Sequence, residues 1–362
     1  MTTTETQAGT ADALAGRILA GVTATLELAA VDLGAQLGWY RALADAPATA
    51  PELADRTGTA PRYAREWLEQ QAVAGILTVD DVRAESDARR YTLPAEYRGV
   101  LVDELDPAHM APFARVAMAF VRNLPRLREA YRTGDGLGWA EMGPDAREAQ
   151  GDANRPYFLG AMATEDLPRV PGVDTVLRGG GRVADVGCGM GWSAIGMARA
   201  YPRARIDGFD VDAPSVEQAR RNAEQAGVAD RVRFTLVDAA SADGEPGGYD
   251  LVTAFECVHD MADPVAVLAA MRGMARPDGT VLVVDEKVAE QFTAPGDEVE
   301  RLMYGYSLTC CLPDGLSTRP SVATGTVMRP ATLERYAREA GFTGVETLPI
   351  DNDFFRFYRL VR

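Results

Sequence analysis

The sequence predicts a doubly wound α/β fold, a mostly parallel sheet of seven strands closed by an antiparallel C-terminal hairpin, preceded by a mainly helical, winged-helix-like domain. Three observations carry this. From Arg182 onward, β-rich apolar runs alternate with helical stretches, the pattern of a parallel sheet covered on both faces. The first of these runs ends in "DVGCGMG", with glycines at every second position, and passes directly into a helix. The N-terminal hundred residues read as helix, tight turn, helix and short hairpin.

Composition bounds the answer. A chain of 362 residues is long for one domain and suits two with a connecting segment. The boundaries read as 1–100 for the helical domain, 101–172 for a helical connector and cap, and 173–362 for the sheet domain. No run approaches the roughly 20 apolar residues of a membrane span, and the polar start "MTTTETQAGTADALAG" lacks the apolar core of a secretion signal. The expectation is a cytoplasmic protein with no membrane partner. Four cysteines, Cys188, Cys257, Cys310 and Cys311, show no CxxC spacing, and the two histidines, His109 and His259, are far apart, so neither a metal site nor a disulfide framework is expected. A net charge of −16 opposes nucleic acid and anionic lipid, since phosphate binding needs neutralising cations.

The elements follow in order. Leu19, Val22, Leu26, Ala29 and Leu33 at helical spacing predict one or two helices over residues 14–43. Thr49 and Glu52 form a capping box for a short helix that Gly58 ends, and Pro61 sits near the start of the next. "ILTV" and "RRYTL" read as a wing. Residues 107–180 read as helix interrupted by Pro125, Gly134, Gly136, Gly138 and Pro144. The strands are "RVADVG", "ARIDGFD", "VRFTLVD", "YDLVTAF", "TVLVVD", "VETLPI" and "FRFYRLV", the last two separated by about three residues as an edge hairpin.

The loop after the first sheet strand has the character of a nucleotide-binding turn, because positions without side chains let a ligand approach backbone N–H groups at a helix start. Trp192 occupies the place of the third glycine of a dinucleotide fingerprint, so the spacing of Gly187, Gly189 and Gly191 is GxGxG, which disfavours NAD. Asp185 beside the loop suits a ligand with an ammonium group better than a pyrophosphate. Asp210, nineteen positions after Gly191, ends the second strand where a carboxylate accepts ribose hydroxyls, and Asp238 ends the third where it can accept an adenine amino group. Each acid taken singly also fits a helix cap or a solvated turn.

The ordered set "DVGCGMG", "GFDVD", "VDAA", "YDLVTAFECVHD" and "PDGTVLVVDE" resembles the class I S-adenosylmethionine (SAM)-dependent methyltransferases, whose sheet is Rossmann-like. With the winged-helix-like domain ahead of it, nearly the whole chain is similar to bacterial and plant small-molecule methyltransferases, in particular an actinobacterial subgroup often labelled as regulators. The resemblance implies SAM as cofactor, S-adenosylhomocysteine as product, and a homodimer formed through the N-terminal domain. It implies that Asp185, Gly187 and Gly189 contact the amino acid part of SAM, Asp210 the ribose, and Asp238 with Ala239 the adenine. By the same resemblance Cys188, Gly191 and Val211 fall in the cofactor-binding segments, and Phe255 and Glu256 are expected to border the sulfonium.

Methyl transfer is an in-line displacement at an activated carbon, so alignment and exclusion of water dominate; positioning alone is worth about 7–11 kcal/mol. A base is needed when the acceptor must lose a proton, as a phenol does. His259 in "FECVHDMADP" resembles the general base of plant-type O-methyltransferases, with Asp285 in the position of the carboxylate that orients it. Met261 replaces the tryptophan usual after "HD", and a structural role for His259 beside the cofactor stands as the alternative. Asp260 reads as a capping or loop residue, and Cys257 as buried filler.

A long insertion at about 288–328 reads as a lid over the site. Tyr304, Tyr306, Ser307, Cys310 and Cys311 from it, with His109, Met110, Phe113, Tyr157 and Phe158 from the connector, are the candidates to line a pocket for an apolar or aromatic small molecule. Packing of the lid on its own domain explains any one of them equally well. Two other functions fit parts of the pattern: a SAM-binding enzyme of non-methylating chemistry, and a winged-helix transcription regulator. Against the second, Arg62 and Arg65 on the would-be recognition helix are balanced by Glu66 and Glu69, and a DNA reader needs a basic stripe.

Overall fold

The computed structural model describes residues 10–241 and 247–362, in two compact units, Met1–Met118 and Ala119–Arg362. In the first unit α1 (Ala11–Gln36) leads into α2 (Trp39–Asp45), α3 (Ala50–Thr57) and α4 (Pro61–Val73). The Thr49/Glu52 capping box closes the start of α3, and Gly58, at φ 66°, ends it. The wing is reduced to β1 (Thr78–Val79) and β2 (Tyr91–Thr92), paired antiparallel, followed by α5 (Arg98–Leu101) and α6 (Ala111–Arg122), which crosses the boundary. Trp39, Tyr40, Leu43, Leu53, Trp67 and Leu68 fill the core. Gly34 is required here, because an added Cβ would lie 2.3 Å from the Trp67 ring.

Only the C-terminal part of α1 reaches that core. Leu14, Ile18, Leu19, Val22, Leu26 and Leu33 are exposed along it. With four charged residues in 26, α1 is long and apolar enough by length and composition to cross a membrane, contrary to the expectation from uninterrupted apolar runs. The difference arises because alanine and isolated glycine and threonine sustain a high mean hydropathy without a continuous run.

The second unit begins with helices. These are α7 (Leu124–Thr133), α8 (Trp139–Met142), α9 (Pro144–Leu159) and α10 (Val173–Gly179). The sheet then alternates with helices: β3 (Arg182–Val186), α11 (Trp192–Ala200), β4 (Arg205–Asp210), α12 (Ala213–Gln225), β5 (Val232–Leu236), β6 (Tyr249–Phe255), α13 (Pro264–Met274) and β7 (Ala275–Glu286). Next come α14 (Glu298–Tyr306), a π-turn (Ser307–Cys311), α15 (Leu312–Gly315), α16 (Pro330–Glu339), β8 (Gly344–Thr347) and β9 (Phe355–Val361). Strand order is β5-β4-β3-β6-β7-β9-β8, parallel except that β9 runs antiparallel to both neighbours. The hairpin strand β8 ends at Thr347, so its connection to β9 is longer than the sequence suggested.

Alternate strand residues face the two helical layers, as the period of two requires. Val183, Ile206, Leu251, Leu282 and Phe357 pack on one side, and Ala184, Val252, Val281, Val283 and Tyr358 on the other. Full burial of each larger side chain stabilises by about 1.5–3 kcal/mol. The strand order reverses between β3 and β6, and the crevice at that switch point, outside the carboxyl ends of the strands, is where ligands bind in such sheets.

Candidate functional site

The glycine loop opens that crevice. Gly187, Gly189 and Gly191 all have left-handed backbone, at φ 69°, 49° and 81°. They do different work. A Cβ on Gly191 would lie 2.5 Å from the Phe234 ring, so this glycine lets α11 pack, whereas a Cβ on Gly189 would meet nothing within 4 Å, so this one faces open space. Asp210, at the end of β4, closes the loop: its carboxylate accepts from Gly189 N–H at 2.7 Å and from Asp212 N–H at 2.9 Å. Burial raises its pKa, against those backbone N–H groups. Val211 beside it is exposed, as is Asp238, while Ala239 is buried.

Three sequence candidates point inward. Asp185 is 1% exposed and accepts from Ser193 Oγ at 2.5 Å and Thr253 Oγ1 at 2.8 Å, tying α11 to β6. Burial pushes its carboxyl up to about 6, against the two hydroxyls. The Cys188 thiol is buried beside Gly208, and its N–H donates to the Phe209 carbonyl. Phe255 turns into the core, with Phe158 edge-on at 5.5 Å.

The other side of the crevice is crowded with acids. His259 follows β6 in a short 3-10 turn and is 2% exposed. Its Nδ1 lies 2.9 Å from Asp285 Oδ1 and 3.1 Å from Glu286 Oε2, both at the end of β7, and its Nε2 lies 3.3 Å from Asp260 Oδ1. Burial alone would lower the imidazole's pKa; Asp260, Asp285 and Glu286 outweigh it and hold the ring well above its ordinary value. Burial pushes the carboxyl of Glu256 up to about 8 and raises that of Glu286. Asp260 is not the helix cap: Asp263 caps α13, accepting from Ala266 N–H. The ligand atoms of His259, Asp285 and Glu286 lie within 4.8 Å of one another, as do those of His259, Asp260 and Cys311. The Nδ1 to Asp285 distance is that of a hydrogen bond and needs a proton between the two atoms, so we read the array as an imidazole–carboxylate network.

The 287–329 segment covers this network and is bonded to it. Gly325 N–H donates to the His259 carbonyl at 3.1 Å and Val322 N–H to the Ala262 carbonyl at 3.0 Å. Cys311, buried, interacts with Asp260 and His259. Cys310 is buried next to it, Tyr306 packs edge-on against Phe120, and Ser307 is buried under Gly325. Tyr304 is 38% exposed and accepts from Arg329 at 3.4 Å. From the connector, Tyr157 donates to Asp166 at 2.9 Å and packs on Phe355. His109, Met110 and Phe113 belong to the first compact unit, where His109 is buried and Met110 exposed.

Several site residues escaped the sequence reading. Glu286 adjoins Asp285, and Asn154 on α9 donates to Glu256 Oε2 at 3.4 Å. Arg147 on the same helix makes a buried ion pair with Asp212 at 2.6 Å. Asp314 of α15 accepts from Trp139 N–H at 2.7 Å, and burial raises its carboxyl to about 7. Asp263 before Pro264 was a legible cap signal; the long-range pairs had none.

Comparison with known proteins agrees with this architecture. Residues 177–315 match a family described as a methyltransferase domain, and residues 24–102 a family described as an Rv2258c-like winged HTH domain. A ubiquinone biosynthesis O-methyltransferase of Neisseria meningitidis is 38% identical over 103 residues, 28% of this chain and 42% of that protein. The chain thus spans about two-fifths of that relative's length. Among solved structures, the mitomycin 7-O-methyltransferase MmcR superposes with a TM-score of 0.70 at 22% identity, covering 97% of this chain and 99% of that one. Human N-acetylserotonin methyltransferase in complex with SAM superposes with a TM-score of 0.71 at 18% identity, covering 100% and 99%. At these identities the likeness is one of fold. The chain has the class I SAM-dependent methyltransferase fold with an N-terminal winged-helix domain.

Proposed function

We propose that the protein transfers the methyl group of SAM to a hydroxyl of a small-molecule acceptor. One observation carries this: the switch-point crevice brings together an open glycine loop, the Asp210 carboxylate and, across from them, a buried imidazole–carboxylate network under a lid. The donor set fits SAM. Acids at the ends of β4 and β5 suit ribose hydroxyls and an amine, and Gly189 leaves room for a ligand against the backbone. On this reading Asp210 and Val211 hold the ribose side, Asp238 and Ala239 the adenine, and Gly187 and Gly189 the amino acid part. Bound there, SAM supplies a methyl group on a positive sulfur. The chain's own residues align the acceptor, exclude water and take its proton. Tyr306, Cys310 and Cys311 line the acceptor side, and the small-molecule O-methyltransferases among the structural neighbours support that acceptor class.

The exposed apolar face of α1 supports a homodimer through the N-terminal unit. Leu26→Glu should convert a dimeric mass in solution to a monomeric one; a wild-type monomer, or a wild type that partitions into vesicles, would overturn this part. DNA reading is disfavoured by charge pairing. Arg62 faces Glu66 at 2.5 Å, Arg65 faces Asp87 at 3.5 Å, and Arg89 faces Glu69 at 2.9 Å. The reaction is tested with isotopically labelled SAM and a panel of phenols, amines and activated carbons, mass spectrometry locating the label. Label on a hydroxyl supports the proposal; label on carbon or nitrogen, or a product formed with SAM unchanged, contradicts it.

A further inference from the structure

Glu256 is built unlike the other acids around the crevice. It follows the last residue of β6, beside the switch point between β3 and β6. Its φ is 52°, and among described non-glycine residues only Ala323 shares that left-handed backbone. Such a conformation persists only when the surroundings impose it, and it concentrates at functional sites. Here the Glu256 N–H donates to the Val284 carbonyl at 2.8 Å, pinning the turn to β7. The carboxyl receives one long hydrogen bond, 3.4 Å from Asn154 of α9. The other titratable groups acting on it are Glu286 of β7, His259 and Asp260 of the following turn, Tyr157 of α9 and Tyr306 of α14.

His259, the expected base, has acids beside both ring nitrogens: Nδ1 is hydrogen-bonded to Asp285, while Asp260 Oδ1, 3.3 Å from Nε2, makes no hydrogen bond. Asp285 and Glu286 face Nδ1, Asp260 faces Nε2, and the Cys311 thiol of the lid, with Cys257 and Glu256 on its own loop, completes its titratable surroundings. A ring held doubly protonated has no lone pair with which to accept another proton.

Resting on the methyl-transfer reading above, we propose that Glu256 is the group that takes the acceptor's hydroxyl proton, and that His259 is a positioning residue, a fixed cation that holds the acids around it. The acceptor O–H bond breaks and its proton goes to the Glu256 carboxylate. The oxygen keeps the electron pair and forms its new bond to the methyl carbon. The pair of the broken S–CH3 bond stays on sulfur as a thioether, and nothing is oxidised or reduced. Glu256 then releases the proton to solvent. Burial, with Glu286 nearby, places its carboxyl at about 8, far closer to a phenol's value of about 10 than an ordinary carboxyl stands.

Two readouts test this, and the first needs neither cofactor nor acceptor. Because the chain has two histidines, 15N-histidine labelling gives two ring systems, assigned by the one lost in His109→Asn. The His259 ring should keep imidazolium shifts from about pH 6 to about pH 8, across its reference value of about 6.5. A neutral His259 ring in that range overturns the proposal. In the second, Glu256→Gln at saturating SAM should transfer label to phenols roughly 10²–10⁴-fold more slowly than wild type, with the rise in rate toward about pH 8 abolished. Glu256→Asp, which keeps the carboxyl, should restore part of the rate and that pH profile, and it serves if the glutamine variant fails to fold. Loss of less than about tenfold in Glu256→Gln with an unchanged profile overturns the proposal. A wild type that does not bind SAM at all refutes the methyl-transfer reading instead, and leaves the imidazolium measurement standing.

Discussion

The two sides of the crevice solve opposite electrostatic problems. On the glycine-loop side, Asp185 and Asp210 each accept two short hydrogen bonds, from the hydroxyls of Ser193 and Thr253 or the N–H groups of Gly189 and Asp212. Across from them, Glu256, Asp260, Asp285 and Glu286 crowd a single imidazole, and Asp285 Oδ2 and Glu286 Oε2 are buried without a hydrogen-bond partner. The first side is preorganised: burial raises both pKa values, but each carboxylate is met by donors that oppose the shift. The second stores unfavourable charge, the condition under which carboxyl pKa values move toward neutrality.

Three substitutions sharpen that contrast, from the largest expected effect on stability to the smallest. Gly191→Ala forces a Cβ to 2.5 Å from Phe234 and 3.0 Å from Ala219 at positive φ. It should destabilise by about 2–5 kcal/mol, read as a lower denaturant midpoint.

Glu256→Gln acts through pH. The folded pKa of about 8 lies above the ordinary 4.5, so the folded state holds this proton more tightly than the unfolded chain. The resulting stability is fully present below about pH 4.5 and is lost as pH rises through about 8. The glutamine variant never ionises. Its apparent melting temperature should therefore fall less than that of wild type over this range. Parallel curves for the two proteins would show that Glu256 titrates normally.

Gly189→Ala is the mildest of the three. Its Cβ enters open space, so only the backbone cost of about 1–2 kcal/mol is expected. If that open space is where SAM lies, calorimetry should nonetheless show clearly weakened binding. Unchanged affinity would place the ligand elsewhere.

The same contrast explains what could be read before the structure was known. The sheet, the capping box at Thr49 and the glycine loop are local patterns: alternating apolar runs, a three-residue spacing, glycines at a turn. Asp210 was legible because a fixed distance separates it from the loop. His259 and Asp285, 26 positions apart, lie within hydrogen-bond distance. Glu286 was not legible, because strand periodicity sends neighbours to opposite faces, and β7 ends where that rule lapses. Asn154 and Glu256 are 102 positions apart, and Trp139 and Asp314 are 175 apart; no local signal joins them. The left-handed backbone of Glu256 was equally hidden, since glutamate carries no propensity for it.

The most direct test of the central claim is calorimetric titration of SAM into wild type and Asp210→Ala. Wild type should show one saturable site per chain. Affinity in the variant should fall by roughly 10–100-fold, the cost of hydrogen bonds to one charged acceptor. Equal affinity in the two proteins, or no binding to the wild type, would contradict it.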